Sequence, residues 1–524
     1  MRKLIVLAPG ITQNTRGWRP LKDRLSHEVD LMGSVWLERD HRIWPWSSKT
    51  PKAHAIELRA AIDNIWRTKG PFDEVLLVGH SLGGLLVRRA FLLGQGVLDE
   101  HQHEDEWCKH VKRIILFASV NRGFNPHNLH IIRLLYVALG WLLPLARRLE
   151  AGSDFITDLR LQWIHQFRNL GARAPEVVQL LGTRDGIVTR ADSVDVTQFP
   201  NAEEIEVAGA NHADIYRLDK AADKESRYAL IRDAFLKPIG AHPQPTKKPV
   251  THVIFILHGI RANNSEWVEQ ARANLVARHP SAEVVTASYG YLPALDFIFP
   301  YLRRRNIKWL KDTYSYYYAL YPDADFRFLG HSNGTYLLGR SLLRVSGMRF
   351  TRVLLVGSVL SRRYNWTLVF DRKQVTLLRN DRANRDIPVG ILCSALSGLG
   401  MKDIGTAGFH GFDFNDERTV EVFYYDGGHS KALAESNIDN LVDYLMEDRA
   451  ETMTHSELRK NTPSAGFKYL SRIAPLVCAM LVLLFGSFAW TCWPSVVSLI
   501  QLQSYASWTA IVVVALVIGL IRAI

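Results

Sequence analysis

Short apolar runs of strand-like length punctuate the chain. In the first half they are Lys3–Ala8, Val75–Val78, Ile114–Ala118, Val177–Leu181 and Ile205–Val207. In the second they are Val253–Leu257, Phe326–Leu329, Val353–Val356, Val375–Leu378 and Val422–Tyr425. Most are continuous rather than alternating and rich in Val, Ile and Leu, which predicts strands buried on both faces. Longer stretches between them, such as Gly84–Leu93 and Thr335–Val345, predict helices. Strands interleaved with helices imply a mostly parallel sheet covered on both sides, an α/β architecture. The run Leu4–Ala8 is too short for the apolar core of a secretory leader, and no small-residue cleavage site follows it, so it reads as the first strand.

The pattern runs twice. Gly10 follows Lys3–Ala8, and Gly259 follows Val253–Leu257; an asparagine (Asn14, Asn263) and a tryptophan (Trp18, Trp267) come soon after each. Val75–Val78 leads into Gly79-His80-Ser81-Leu82-Gly83-Gly84, and Phe326–Leu329 leads into Gly330-His331-Ser332-Asn333-Gly334. The spacings Gly10 to Ser81 and Gly259 to Ser332 differ by only two residues, so a repeat of domain size is the simplest explanation. A Pro-rich stretch, Lys237–Val250, and a polar one, Glu447–Phe467, read as spacers. The expected organisation is a domain over 1–240, a linker over 241–250, a second domain over 250–448, a linker over 449–467 and a hydrophobic tail over 468–524.

Gly-x-Ser-x-Gly between a strand and a helix has a mechanical meaning. The turn lifts the serine hydroxyl out of the backbone, and the flanking glycines relieve its crowding. The helix that follows aims its N-terminal N–H groups at the site, which favours developing negative charge. The bland alternative is a tight turn with an idle serine; two copies at matched distance from a strand-end glycine speak against it.

On these residues the chain resembles the lipase- and esterase-like members of the α/β-hydrolase family, over most of 1–240 and 250–448. The resemblance implies two tandem α/β-hydrolase domains, each with its residues in the chain order serine, acid, histidine. In the first half these are Ser81, Asp185 in the turn Thr183–Val188, and His212 at the end of Ile205–His212. In the second they are Ser332, Asp386 and His429, where Asp386-Ile387-Pro388-Val389 repeats the Asp-x-x-Val of Asp185-Gly186-Ile187-Val188. Asp192 and Asp195 rival Asp185, and Asp381 rivals Asp386. Oxyanion donors are implied at the residue after the nucleophile, Leu82 or Asn333, and in the loop after the first strand, near Ile11 or Ile260. Two departures stand out: Pro9-Gly10 where His-Gly is commoner, and Asn333-Gly334-Thr335 where Leu-Gly-Gly is commoner. The implied activity is cleavage of carboxylic esters, lipid-like ones in particular, through an acyl-enzyme. Amides and thioesters are open to the same machinery, and one half, the second before the first, is open to a non-catalytic binding role.

The stretch from Ser81 to Asp185 is about fifty residues longer than that from Ser332 to Asp386. The excess falls near 124–173, where the family inserts a lid. Within it Ile131–Ala146 is strongly apolar and is followed by Arg147 and Arg148, which suits an amphiphilic substrate, a membrane surface or a helix packed on the domain. Tyr289–Tyr318, rich in aromatic and basic residues, reads as pocket lining, a binder of anionic headgroups or ordinary helix.

Composition narrows the partners. The net charge is +12, but Lys and Arg are scattered and no nucleic-acid motif appears, so an anionic lipid surface fits better than nucleic acid. The four cysteines form neither a metal spacing nor a disulfide framework, which suits a reducing compartment. His101, His103, Glu104, Asp105, Glu106 and His110 cluster in sequence, yet fit no ligand template and read as a solvated loop. No metal and no cofactor is expected.

Ile473 to Trp493 carries no charge and exceeds the ~20 residues needed to cross a bilayer core. Pro494–Ser507 is an uncharged connector, and Trp508–Ile521 is a second apolar run. Lys468, Arg472 and Arg522 flank the outer ends, so a transmembrane hairpin with the large domains on the cytoplasmic face is expected. The rival arrangement is one span with a re-entrant or interfacial segment.

Overall fold

The computed structural model describes all residues except 40–41, 97–102, 126–141, 190–191, 193–198, 200, 240–248, 260–265, 287–299, 447–461 and 501–524. The chain forms two compact units, Met1–Lys247 with Lys308–Pro322, and Lys248–Ile307 with Asp323–Ile524.

The first unit is built on six parallel strands: β1 (Lys3–Ala8), β2 (Val35–Glu38), β3 (Glu74–His80), β4 (Val111–Phe117), β5 (Glu176–Gly182) and β6 (Ala202–Val207). Their order across the sheet is β2-β1-β3-β4-β5-β6. Successive side chains point to opposite faces, so each central strand feeds two cores. Leu4 and Val6 join Val75, Leu77, Ile114 and Leu116 on one face. Ile5 and Leu7 join Leu76, Val78, Ile115 and Phe117 on the other. The helices Pro51–Lys69, Leu82–Gly94 and Asp154–Leu170 contribute to the first of these cores, and Arg19–Leu25 and Lys224–Leu236 to the second.

The second unit repeats the arrangement with β7 (His252–Leu257), β8 (Ala282–Val285), β9 (Asp325–His331), β10 (Phe350–Val356), β11 (Val375–Ala383) and β12 (Thr419–Tyr425). Their order, β12-β11-β10-β9-β7-β8, is that of the first sheet with each strand replaced by its later counterpart. In both sheets the strand order reverses direction between two neighbours, β1 and β3 or β7 and β9, and such a switch point opens a crevice at the carboxyl ends of the strands. Sequence runs marked the ten longer strands; β2 and β8, at four residues each, are too short and too mixed to show a period.

Of the lid segment near 124–173, residues 126–141 lie outside the described residues, whereas the helix Asp154–Leu170 is a packed part of the first core. The second apolar run of the tail also lies outside the described residues. The described part of the tail is one helix, Ala465–Ile500, which continues through Pro494 where a connector was expected. Its section Ala465–Phe488, 24 residues with mean hydropathy 1.9, is the one helix among the described residues long and apolar enough to cross a membrane. Its base packs on the second unit: Ser394 Oγ donates to the Ser471 carbonyl at 2.7 Å, and the Phe409 and Phe467 rings meet at 5.1 Å. Beyond that base Leu476, Leu481, Val482, Leu483, Leu484 and Phe488 are exposed.

Candidate active site

The two motif serines hold the same unusual backbone, φ 52° and ψ −119° at Ser81, φ 51° and ψ −117° at Ser332. A side-chain-bearing residue there costs on the order of 1–3 kcal/mol, so its surroundings must impose it. The Ser81 N–H donates to the Phe117 carbonyl at 3.0 Å and the Gly84 N–H to the Ser81 carbonyl at 3.2 Å. Ser332 is held alike, its N–H on the Val356 carbonyl at 3.0 Å and the Thr335 N–H on its own carbonyl at 3.0 Å. A Cβ at Gly83 would stand 1.8 Å from the Ala8 carbonyl oxygen, so only glycine lets the helix Leu82–Gly94 begin against the end of β1. A Cβ at Gly10 would stand 3.0 Å from Ser81 Cβ, and one at Gly259 2.8 Å from Ser332 Cβ. The strand-end glycine and the serine therefore meet in each unit, across the switch point.

The structure brings Ser81, His212 and Asp185 together. His212 Nε2 lies 3.0 Å from Ser81 Oγ, and His212 Nδ1 lies 2.9 Å from Asp185 Oδ2. The other Asp185 oxygen accepts the N–H groups of Ile187 at 2.8 Å and Val188 at 3.0 Å. Burial alone would raise the Asp185 carboxyl; the His212 ring and these two amides outweigh it and hold the carboxyl below its ordinary range. Asp192 instead caps its own turn, accepting from the Thr189 N–H at 2.7 Å and hydroxyl at 2.8 Å. Asp195 lies outside the described residues.

In the second unit His429 Nδ1 lies 2.8 Å from Asp386 Oδ2, and the Val389 N–H donates to Asp386 Oδ1 at 2.9 Å. The Asp-x-x-Val repeat thus has one meaning in both units: the amide three residues on pins the carboxylate. Asp381 has another duty, an ion pair with Arg379 at 2.7 Å inside the core. The second serine differs from the first. Ser332 is only 5% exposed, and among the described residues no hydrogen bond joins its hydroxyl to His429.

Two amide donors stand beside Ser81. Ile11 follows Gly10, Leu82 follows Ser81, and among the described residues neither N–H has a hydrogen-bond partner. The Gly10 N–H, by contrast, is taken by Gln13 Oε1 at 3.3 Å. Asn333 is the first residue of its helix, and Ile260 lies outside the described residues.

The sequence did not disclose the residue before each serine as part of the site. His80 is fully buried, and its Nε2 lies 2.6 Å from the His212 carbonyl oxygen. Burial pushes its imidazole down to about 3, so it is neutral at ordinary pH. His331 is likewise driven well below its ordinary value by burial, and its ring centroid is 4.6 Å from that of His429. The histidine repeated before each serine marked the position but not its partner.

The described part of the His101–His110 stretch is taken up by ordinary pairs, Arg59 with Asp105 at 2.6 Å and Lys109 with Glu106 at 2.7 Å. No metal-ligand cluster occurs among the described residues.

No protein-family model matches the chain, and no curated protein matches it. Among solved structures it is similar to a monoacylglycerol lipase of Paleococcus ferrophilus, at 18% identity over 44% of this chain and 92% of that one, TM-score 0.29. It is similar to the Bacillus licheniformis lipase BlEst2, at 17% identity over 41% and 86%, TM-score 0.29. It is also similar to the carboxylesterase CesB of Bacillus subtilis, at 12% identity over 45% and 85%, TM-score 0.28.

Proposed function

We propose that this chain is a serine hydrolase of the α/β-hydrolase kind, with two tandem domains, that cleaves carboxylic esters of lipid-like molecules while held at a membrane by its tail. The observation that carries the reading is the unbroken relay from Ser81 Oγ through His212 to Asp185, at 3.0 and 2.9 Å. His212 takes the Ser81 proton as the oxygen attacks the ester carbonyl, and Asp185 holds the imidazole tautomer and steadies its cation. The oxyanion is received by the Ile11 and Leu82 N–H groups, and loss of one such donor is worth ~100- to 1000-fold in rate. His212 then gives its proton to the departing alcohol, and water activated by the same ring releases the acid.

The tail reading rests on length and composition. At 1.5 Å per residue a helix of 24 residues is about 36 Å long, enough for a hydrocarbon core of about 30 Å. Lys468 and Arg472 at its base suit the cytoplasmic side.

A second reading concerns the second unit alone. Its serine is buried and lacks the bond to His429, which favours a binding role there over turnover. A screen of p-nitrophenyl esters, lysophospholipids and acylglycerols against the full chain and its Ser81→Ala and Ser332→Ala variants tests both readings. Turnover lost with Ser81→Ala and kept with Ser332→Ala fits a single working site. Turnover unchanged in Ser81→Ala would refute the first site.

A further inference from the structure

The loop after β2 carries two exposed tryptophans beside the first site. Trp44 is 39% and Trp46 58% exposed, and their rings stack at 4.8 Å with an interplanar angle of 15°. Their position is fixed from both sides. Ile43, buried in the core, accepts the Thr12 N–H at 2.8 Å and so ties the loop to the strand-end turn that holds Gly10 against Ser81. The Pro45 carbonyl accepts the Leu145 N–H at 3.2 Å, which ties it to the end of the apolar stretch Ile131–Ala146, where Leu142 is 45% exposed.

A single exposed apolar side chain needs no explanation, but a rigidly held aromatic pair next to another exposed apolar residue marks an interaction surface. Indole rings with one polar edge and an apolar body favour the headgroup level of a bilayer. The charges agree. Arg42 stands two residues before Trp44 and is exposed, and Arg147 follows Ala146, whose N–H donates to the Pro45 carbonyl at 3.4 Å, so both add positive charge to this surface for anionic headgroups.

We propose that Trp44 and Trp46, with Leu142, Arg42 and Arg147, form a surface that seats the first unit on an anionic lipid bilayer, from which its site takes ester. This rests on the reading of the chain as a hydrolase of lipid-like esters. Among the described residues no hydrogen bond or ring contact joins Trp44 or Trp46 to Ser81, His212 or Asp185, so the proposed role is delivery rather than chemistry.

The test uses the full chain reconstituted in vesicles of phosphatidylcholine with or without phosphatidylglycerol. In a Cys478→Ala, Cys492→Ala background, an environment-sensitive fluorophore is placed through Trp46→Cys, and separately through Val29→Cys, a control site 86% exposed. The expected result is quenching at position 46 by doxyl-labelled lipid, stronger with phosphatidylglycerol, and none at position 29. No quenching at 46 overturns the proposal, whatever the enzyme does. Kinetics supply the second arm. Paired Trp44→Ala and Trp46→Ala changes are expected to leave kcat/KM for p-nitrophenyl acetate within about twofold while lowering turnover of vesicle-held ester about tenfold. An equal loss on a soluble long-chain monomeric ester would make the pair an acyl subsite, and a change of oligomeric mass would make it a contact between copies; either outcome overturns the lipid assignment. Wild-type protein that hydrolyses nothing would defeat the hydrolase reading instead, leaving the quenching result to decide this one.

Discussion

The ring of His80 donates from Nε2 to the main-chain carbonyl oxygen of His212, at 2.6 Å. A carbonyl only accepts, so Nε2 carries the proton and Nδ1 is bare, facing the backbone at Gly10. The residue before the nucleophile thereby holds the loop of the histidine that serves the nucleophile. His80→Phe keeps the ring volume and removes the donor. It is expected to reduce kcat about tenfold or more by loosening His212, since small misplacements of a catalytic group carry large rate penalties.

The same residue predicts a pH effect on stability. Its folded value of about 3 lies below the unfolded value of about 6.5, so the unfolded chain binds the extra proton in between. The contribution is complete above pH 6.5 and is lost as pH falls towards 3, at about 1.4 kcal/mol per unit. Asp185, whose carboxyl is depressed, adds stability that is complete above its unfolded value near 3.9 and lost below it. Denaturant midpoints of the wild type between pH 7 and 4, compared with His80→Phe, should show the steeper slope in the wild type.

Asp185→Asn and Asp192→Asn separate the acid from its neighbour. The first leaves the His212 tautomer unsupported and is expected to lower kcat about 10⁴-fold. The second removes only a turn cap at Thr189 and should leave kcat within about twofold. Ester turnover at pH 8 checks both.

Asp381→Asn belongs to stability. Arg379 stays buried beside an uncharged amide, and breaking such a pair costs about 3–5 kcal/mol. Thermal unfolding of the second unit should fall accordingly, with Ser81-dependent turnover retained at temperatures where the first unit is folded.

Gly83→Ala places a methyl group 1.8 Å from the Ala8 carbonyl oxygen, and because both partners are backbone the strain has no cheap relief. Destabilisation of at least about 1–3 kcal/mol is expected in urea unfolding.

Much of this was legible because it depends on local pattern. Continuous apolar runs marked β1, β3 and β4 since those strands feed two cores, and Gly79-His80-Ser81-Leu82-Gly83 marked the turn because Gly79 and Gly83 leave no room for a Cβ. The choice of Asp386 over Asp381 rested on one local signal, the Asp-x-x-Val repeat shared with Asp185. Both lie near the end of β11, and only the fold shows that one faces His429 and the other Arg379. The His80 contact was invisible: its partner is a main-chain atom 132 residues away, which no side-chain pattern encodes. β2 and β8 escaped because edge strands of four residues carry too little periodicity.

The most direct measurement is peptide mapping by mass spectrometry after reaction of the full chain with a fluorophosphonate. The predicted result is a covalent adduct on the peptide containing Ser81, abolished by His212→Ala and slowed by Asp185→Asn. An unmodified Ser81 in folded wild-type protein, or an adduct that forms at the same rate without His212, would contradict the triad.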